Sequence, residues 1–277
     1  MPTILSPQPK PRKIRSGADR RREPDEADRR PEPAEWDKTI VAISLYQLKD
    51  LVLPEGPTKA ASEDQVEQQI FKIRLAHSAE RVNTASMLVQ RKYAGRGYAS
   101  KGFQKASERI TLMAFQDDKV IGTLTLGLDS PKGLLVEELY KPEITALREA
   151  GRKVCELTKL AVDQTQGSWH LLASLFHIAY IYGRVIKNYT DVVIEVNPRH
   201  VAFYKRMLGF DELGPERMCS RVKAPAVLLR LKREYVDEQI ELLGGRSEGA
   251  LGERSLYPYF FSKRDEIGIT QRLTRRE

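Results

Sequence analysis

Cysteine is nearly absent. The 277 residues hold only Cys155 and Cys219, far apart and without metal-ligand spacing, so neither a disulfide framework nor a metal site is expected. Nothing at the N-terminus follows the basic, apolar, small-residue order of a secretory signal, and the expected compartment is the reducing cytoplasm. No run approaches the roughly 18 apolar residues that span a bilayer. The best candidate, residues 171–183, is too short and carries His177, so any membrane contact is expected to be peripheral. Helix-turn-helix, finger and RNA-binding signatures are missing, as are internal repeats. The net charge of +8 could attract nucleic acid, anionic lipid or an acidic protein. Asp and Glu interrupt the arginine clusters at 20–22 and 29–30, which argues against nucleic acid as a partner.

Aliphatic residues are scarce over 1–40, which is dense in Pro, Arg, Asp and Glu and cannot bury enough surface to offset chain entropy. A disordered tail is expected over about 1–45. After Gly244-Gly245 the chain turns polar again, and 245–277 reads as a second tail. Within it, Leu256-Tyr257-Pro258-Tyr259-Phe260-Phe261 is apolar enough to dock by surface packing or to act as a lid. The foldable part is 65–235, and a hydrophobic content of 41% suffices for a core.

Residues 71–76 alternate at period two as a strand, and Ser78 caps a helix running to about Tyr93. Strands at 109–115 and 120–126 flank the turn Asp117-Asp118-Lys119 as a hairpin. A helix over 135–150, a strand over 153–162 and a long helix over 168–187 follow. Residues 191–196 form another strand. Asn197-Pro198 then opens a short helix carrying Ala202, Phe203 and Met207, which Gly209 ends with a left-handed cap. A short strand near 210–213 and a last one at 227–231 complete an α/β (α+β) order with a mixed sheet.

Alternation along the strand over 153–162 puts Glu156, Thr158, Leu160 and Val162 on one face and Cys155, Leu157, Lys159 and Ala161 on the other. A carboxylate on so apolar a strand is costly without a partner or a task. Glu156 therefore reads either as a base, acting directly or through a water, or as one half of an ion pair. Arg91 and Arg96, at a helix end and its loop, could fork onto a carboxylate or simply face solvent; Tyr98 could line the same pocket or pack. His177, among Leu, Phe and Tyr, reads as a core histidine. Asn197 reads as a helix cap or as a hydrogen-bonding group of a site.

The strand-helix-Gly order at 191–210 resembles the second half of the GNAT N-acyltransferase fold. That resemblance implies a largely antiparallel sheet whose two central parallel strands splay apart, flanked by helices. It also implies a slot for an acyl-carrying arm, with Tyr204 protonating the departing thiolate and backbone N–H groups of Leu160, Ala161 and Val162 holding the thioester oxygen. Asn197 would then bond the pantetheine amide. Where acyl-CoA enzymes carry a basic Gly-rich turn, this chain reads Gln164-Thr165-Gln166-Gly167-Ser168-Trp169-His170, with one Gly and no Arg or Lys, a poor cradle for the nucleotide end of coenzyme A. Gly167, Ser168 and His170 are placed at the donor's entry.

The run 151–163 is similar to that of acyl-homoserine lactone synthases, with Thr158 and Lys159 in place of Ser and Arg. With Phe71-Lys72-Ile73-Arg74-Leu75-Ala76-His77-Ser78 and Gln90-Arg91-Lys92-Tyr93-Ala94-Gly95-Arg96-Gly97-Tyr98, the chain resembles the long-chain N-acyl amino acid synthases more closely, over about 70–232. The resemblance implies direct transfer of a long acyl chain from the phosphopantetheine of acyl carrier protein to the α-amine of an amino acid. Glu156 would serve as base, Arg91, Arg96 and Tyr98 as acceptor ligands, and no permanently bound cofactor would be needed. The alternatives are lactone synthesis from S-adenosylmethionine, acetylation from coenzyme A, and a non-catalytic module that binds acyl groups or carrier protein. Convergence of Glu156 and Tyr204 on the slot would discriminate against the last.

Overall fold

The computed structural model describes residues 40–44, 70–76, 79–95, 97, 108–116, 119–163, 168–246 and 252–274. Among the described residues eight strands form one sheet in the order β1-β2-β3-β4-β5-β6-β8-β7. The strands are β1 (Val41–Ser44), β2 (Ile70–Leu75), β3 (Arg109–Gln116), β4 (Lys119–Leu128), β5 (Val154–Val162), β6 (Asp191–Val196), β7 (Asp211–Cys219) and β8 (Ala224–Lys232). The helices are α1 (Ala79–Ala94), α2 (Glu137–Glu149), α3 (Ser168–Ile181), α4 (Pro198–Leu208), α5 (Arg233–Leu243) and α6 (Lys263–Thr274), with a π-helical turn, Tyr182–Ile186, continuing α3. Among the described residues no helix is long and apolar enough to cross a membrane, and no cluster of His, Cys, Asp and Glu could hold a metal ion.

Every strand pair is antiparallel except β5–β6. Those two parallel strands are in register only from Val154↔Asp191 to Glu156↔Val193, although β5 runs on to Val162 and β6 to Val196. The expected splay is therefore present. Its closed end is pinned by Asp191, fully buried, which takes Arg152 at 2.5 Å and Arg230 at 2.6 Å. Past Glu156 the side of β5 turned away from β4 pairs with no strand among the described residues, and the slot opens at the carboxyl ends of both strands, where open α/β sheets place ligands.

Helix α4 forms as its sequence directs. Asn197 Oδ1 accepts from Arg199 N–H at 3.3 Å, Pro198 occupies the first turn, and Gly209 ends the helix at φ 77°. The N–H groups of Gly209 and Phe210 donate back to Lys205 and Tyr204 carbonyls. A Cβ at Gly209 would lie 2.1 Å from the Tyr235 ring, so close packing and the left-handed backbone both require glycine there.

Three expectations need correction. Strand β1 falls inside the segment assigned to the N-terminal tail and pairs with β2. Strand β7 is nine residues long rather than four, because an edge strand tolerates Pro215 and the register shifts beside Gly214. The C-terminal segment carries a 3-10 turn, Tyr257–Tyr259, and then α6. Leu256, Tyr257 and Phe260 are buried in the main core, Leu256 N–H donates to Met207 O, and Tyr257 Oη donates to Leu208 O at 2.6 Å. The apolar run docks behind α3 and α4; it does not line the slot.

His177 is the key of that docking. It is fully buried, stacks on Phe260 at 4.6 Å and Phe261 at 5.3 Å, and its Nδ1 accepts from Phe261 N–H at 2.9 Å. Its Nε2 sits 3.8 Å from Glu266 of α6. Burial holds its pKa below the usual 6.5 despite Glu266. A group whose folded pKa is depressed stabilises the fold above its unfolded value, and that stability drains away as pH falls. Thermal stability is therefore expected to drop as the pH is lowered below about 6.5, and His177→Gln should flatten that part of the profile. An unchanged acid limb in the variant would clear His177 of the role.

Candidate active site

Between the splayed ends of β5 and β6 lies a pocket of about 760 Å³. Its apolar lining comes from Leu157, Leu160 and Val162 of β5, Leu172 and Phe176 of α3, and Phe203 and Tyr204 of α4; its charged lining comes from Arg109, Lys159, Glu138, Glu195 and Arg221. Leu124, Trp169 and Asn197 also line it. The pocket thus offers side chains suited to a hydrocarbon chain and others suited to a charged group.

Strand β5 explains part of the charged lining. Thr123 pairs with Ala161 and Thr125 with Thr158, so Lys159 and Leu160 together oppose Leu124 as a bulge. Lys159 sits at φ 54°, a costly conformation for a residue with a Cβ, and Thr123 Oγ1 donates to its carbonyl at 2.9 Å. The bulge breaks the expected alternation, bringing all of Leu157, Thr158, Lys159, Leu160, Ala161 and Val162 to the pocket. Burial, with the charge of Arg109 nearby, lowers the Lys159 ammonium to about 8. Thr158 Oγ1 is buried without a hydrogen-bond partner among the described residues.

Glu156 is 1% exposed and does not line the pocket. Its Oε2 accepts from Val136 N–H at 3.1 Å, and its Oε1 lies 3.8 Å from Arg109 Nη2. Val136, at the start of α2, has no side-chain cap of its own, so Glu156 satisfies that helix end from another strand. Gly127 faces Glu156 across the ladder, and a Cβ there would fall 2.6 Å from Glu156 Cγ. Burial raises the Glu156 carboxyl above its usual range, against the backbone N–H groups of Leu135 and Val136 and the charge of Arg109. The ion-pair reading of this residue is present, and of Glu156 and Tyr204 only Tyr204 lines the slot, so the convergence that would discriminate against a non-catalytic module is not met directly: the partners of Glu156 face the pocket and Glu156 stands behind them.

Tyr204 is on the wall, its ring edge-on to Phe176, Phe203 and Phe210 at 6.4, 5.2 and 5.8 Å. Asn197 is there too, with both ends of its amide engaged: Oδ1 caps α4, and Nδ2 donates to Pro225 O at 3.1 Å. Arg91 is not; its side chain is 63% exposed and its Nη2 lies 3.6 Å from Asp163. Lys92, also bound to Asp163, and Tyr93 reach the pocket from the same helix end. His170 turns from the pocket to pack edge-on against Tyr259 at 4.8 Å, and burial lowers its pKa. Ser168 begins α3. Arg96, Tyr98 and Gly167 lie outside the described residues.

Sequence reasoning missed Arg109, Lys159 and the cluster in which Arg221 meets both Glu195, at 2.5 Å, and Glu138. A lysine on a strand assigned to the other face gave no local signal, and Arg221 and Glu138 are brought together only by tertiary structure.

The family model of the N-acyl amino acid synthase FeeM matches residues 84–232. The solved structure of FeeM, an N-acyl amino acid synthase from uncultured soil microbes, superposes with a TM-score of 0.57 and 26% identity, covering 63% of this chain and 96% of that one. The AHL synthase LasI gives 0.45 and 15%, over 59% of this chain and 90% of its own. An acyl-CoA N-acyltransferase from Pseudomonas aeruginosa gives 0.42 and 13%, over 57% and 97%. No curated protein sequence matches.

Proposed function

Because the chain belongs to the N-acyl amino acid synthase FeeM family, whose model spans more than half of it, and has the fold of GNAT acyltransferases, we propose that it moves a long acyl chain from acyl carrier protein to the α-amine of an amino acid. The observation that carries this reading is the pocket at the β5–β6 splay, which combines apolar side chains of β5, α3 and α4 with Arg109, Lys159 and Arg221.

The acyl chain lies along the apolar lining, with its thioester carbonyl beside the edge of β5 turned away from β4. The neutral amine attacks the carbonyl carbon, and charge gathers on the oxygen, which those backbone N–H groups of 160–162 that are not spent on β4 would hold. The C–S bond then breaks, Tyr204 gives its proton to the departing thiolate, and the tyrosinate takes back through water the second proton that the attacking nitrogen sheds as it becomes an amide. The acceptor's carboxylate meets Lys159 and Arg109, replacing Arg91 in that role, and the hydroxyl of Thr158, without a partner among the described residues, can bond the ligand. The proton released by the ammonium passes through water to Glu156. A burial-raised carboxyl suits that task, since a base works best with a pKa near the operating pH.

A carrier-protein donor is favoured by the absence of a Gly-rich basic turn in 164–170 and by the net charge of +8, which complements an acidic carrier. Incubation with long-chain acyl carrier protein and the standard amino acids, read by mass spectrometry, should yield one dominant N-acyl amino acid. Its KM for the carrier should rise with salt, while a small pantetheine thioester should show no such rise. No amide product from either donor would sink the reading.

A further inference from the structure

The C-terminal segment 252–274 lies outside residues 84–232, which the family model matches, yet it is bonded to two helices that line the pocket. On α4 it supplies what a helix end lacks. The last carbonyls of a helix have no partner within it; here Leu256 N–H donates to Met207 O at 2.8 Å, and Tyr257 Oη donates to Leu208 O at 2.6 Å. Met207 and Leu208 stand one turn after Phe203 and Tyr204, both of which line the pocket. Tyr257 is fully buried, its ring edge-on to Tyr235 at 6.1 Å, and the Tyr235 ring lies against Gly209 at the end of the same helix.

On α3 the segment is held by Phe261 N–H, which donates to His177 Nδ1 at 2.9 Å, and by Tyr259, which packs on His170. Helix α3 gives Leu172 and Phe176 to the pocket, and Phe176 meets the Tyr204 ring. One segment therefore grips both helices while adding no side chain to the lining.

We propose that this segment is a strap that sets the place of Tyr204 against the departing thiolate, with Tyr257 as its positioning residue, acting through the backbone of α4. The inference rests on the acyl-transfer reading. Without the Tyr257 hydroxyl the buried Leu208 carbonyl loses that donor, and the last turn of α4 shifts to find another. Proton transfer needs its heavy atoms within about 2.6–3.2 Å, so a small shift slows that step. Donor binding is spread over many apolar contacts and changes little.

The test is kinetic, on the full chain, with Tyr257→Phe made in the unaltered enzyme and in Tyr204→Phe. On an alkyl thioester Tyr257→Phe alone should lower kcat by about 3-fold to 10-fold, part of the 10²-fold that a misplacement of about 1 Å can cost, with KM for the donor unchanged. On an aryl thioester, whose thiolate leaves without a proton, the loss should vanish. In the Tyr204→Phe background it should vanish as well, because groups that act as one unit do not add. The substitution keeps the buried ring, and melting curves fix an assay temperature at which every variant is native. No loss, a loss of one size on both donors, or a loss of one size in both backgrounds would overturn the strap's role and leave acyl transfer standing. If Tyr204→Phe itself does not distinguish the donors, proton donation by Tyr204 falls and the strap's role with it. Absence of amide product from the unaltered enzyme would remove acyl transfer too.

Discussion

Glu156→Gln should lower kcat/KM by about 10²-fold or more, the usual worth of a positioned base. The amide keeps the size of the carboxyl, and its oxygen can still accept from Val136 N–H, as Glu156 Oε2 does at 3.1 Å. What it loses is the ability to take a proton. The pH profile separates this from a structural role. In the unaltered enzyme kcat/KM should rise as pH climbs through the pKa of Glu156, which burial holds above the usual carboxylate range, and the variant should lose that limb. Gln should also weaken the hold on Arg109, now 3.8 Å from Glu156, and so raise KM for the acceptor. A variant with the same acid limb, altered only in melting temperature, would assign Glu156 to capping α2 and nothing more.

The parts of this protein readable from sequence are those whose signals are local. Helix α4 needed only Asn197, Pro198 and Gly209, each with a conformational preference that holds in isolation, and all three do in the structure what those preferences dictate. The parallel β5–β6 pair followed from an order of elements characteristic of the fold. Burial of Leu256, Tyr257 and Phe260 was legible as an apolar run in a polar segment, although nothing local said which surface would receive it.

The acceptor wall was not legible, because a β-bulge decides it. Period-two alternation assigns Lys159 to the face opposite Thr158, and one left-handed residue at φ 54° puts both in the same pocket. No residue of Leu157-Thr158-Lys159-Leu160 announces such a conformation, since Gly or Asn would be its usual bearer. Glu156 shows the reverse failure: its chemistry was singled out correctly, while its depth depended on Gly127, whose missing Cβ admits the side chain and turns it toward α2.

Tyr204→Phe should lower kcat by about 10-fold to 10²-fold with KM for the donor little changed, because the hydroxyl is used only as the C–S bond breaks. The ring packing should survive. The contacts of Tyr204 with Phe176, Phe203 and Phe210 are ring contacts, which phenylalanine repeats. The loss sits at the low end for acid catalysis because a thiolate, whose parent thiol has a pKa of about 8.5, leaves tolerably well unaided. That weakness supplies the decisive control. An aryl thioester expels a far less basic thiolate and needs no proton, so the variant should approach the unaltered enzyme on such a donor while lagging on an alkyl thioester. An equal deficit on both would mean that Tyr204 positions the pantetheine arm, and the proton would then have to come from water at the open end of the slot.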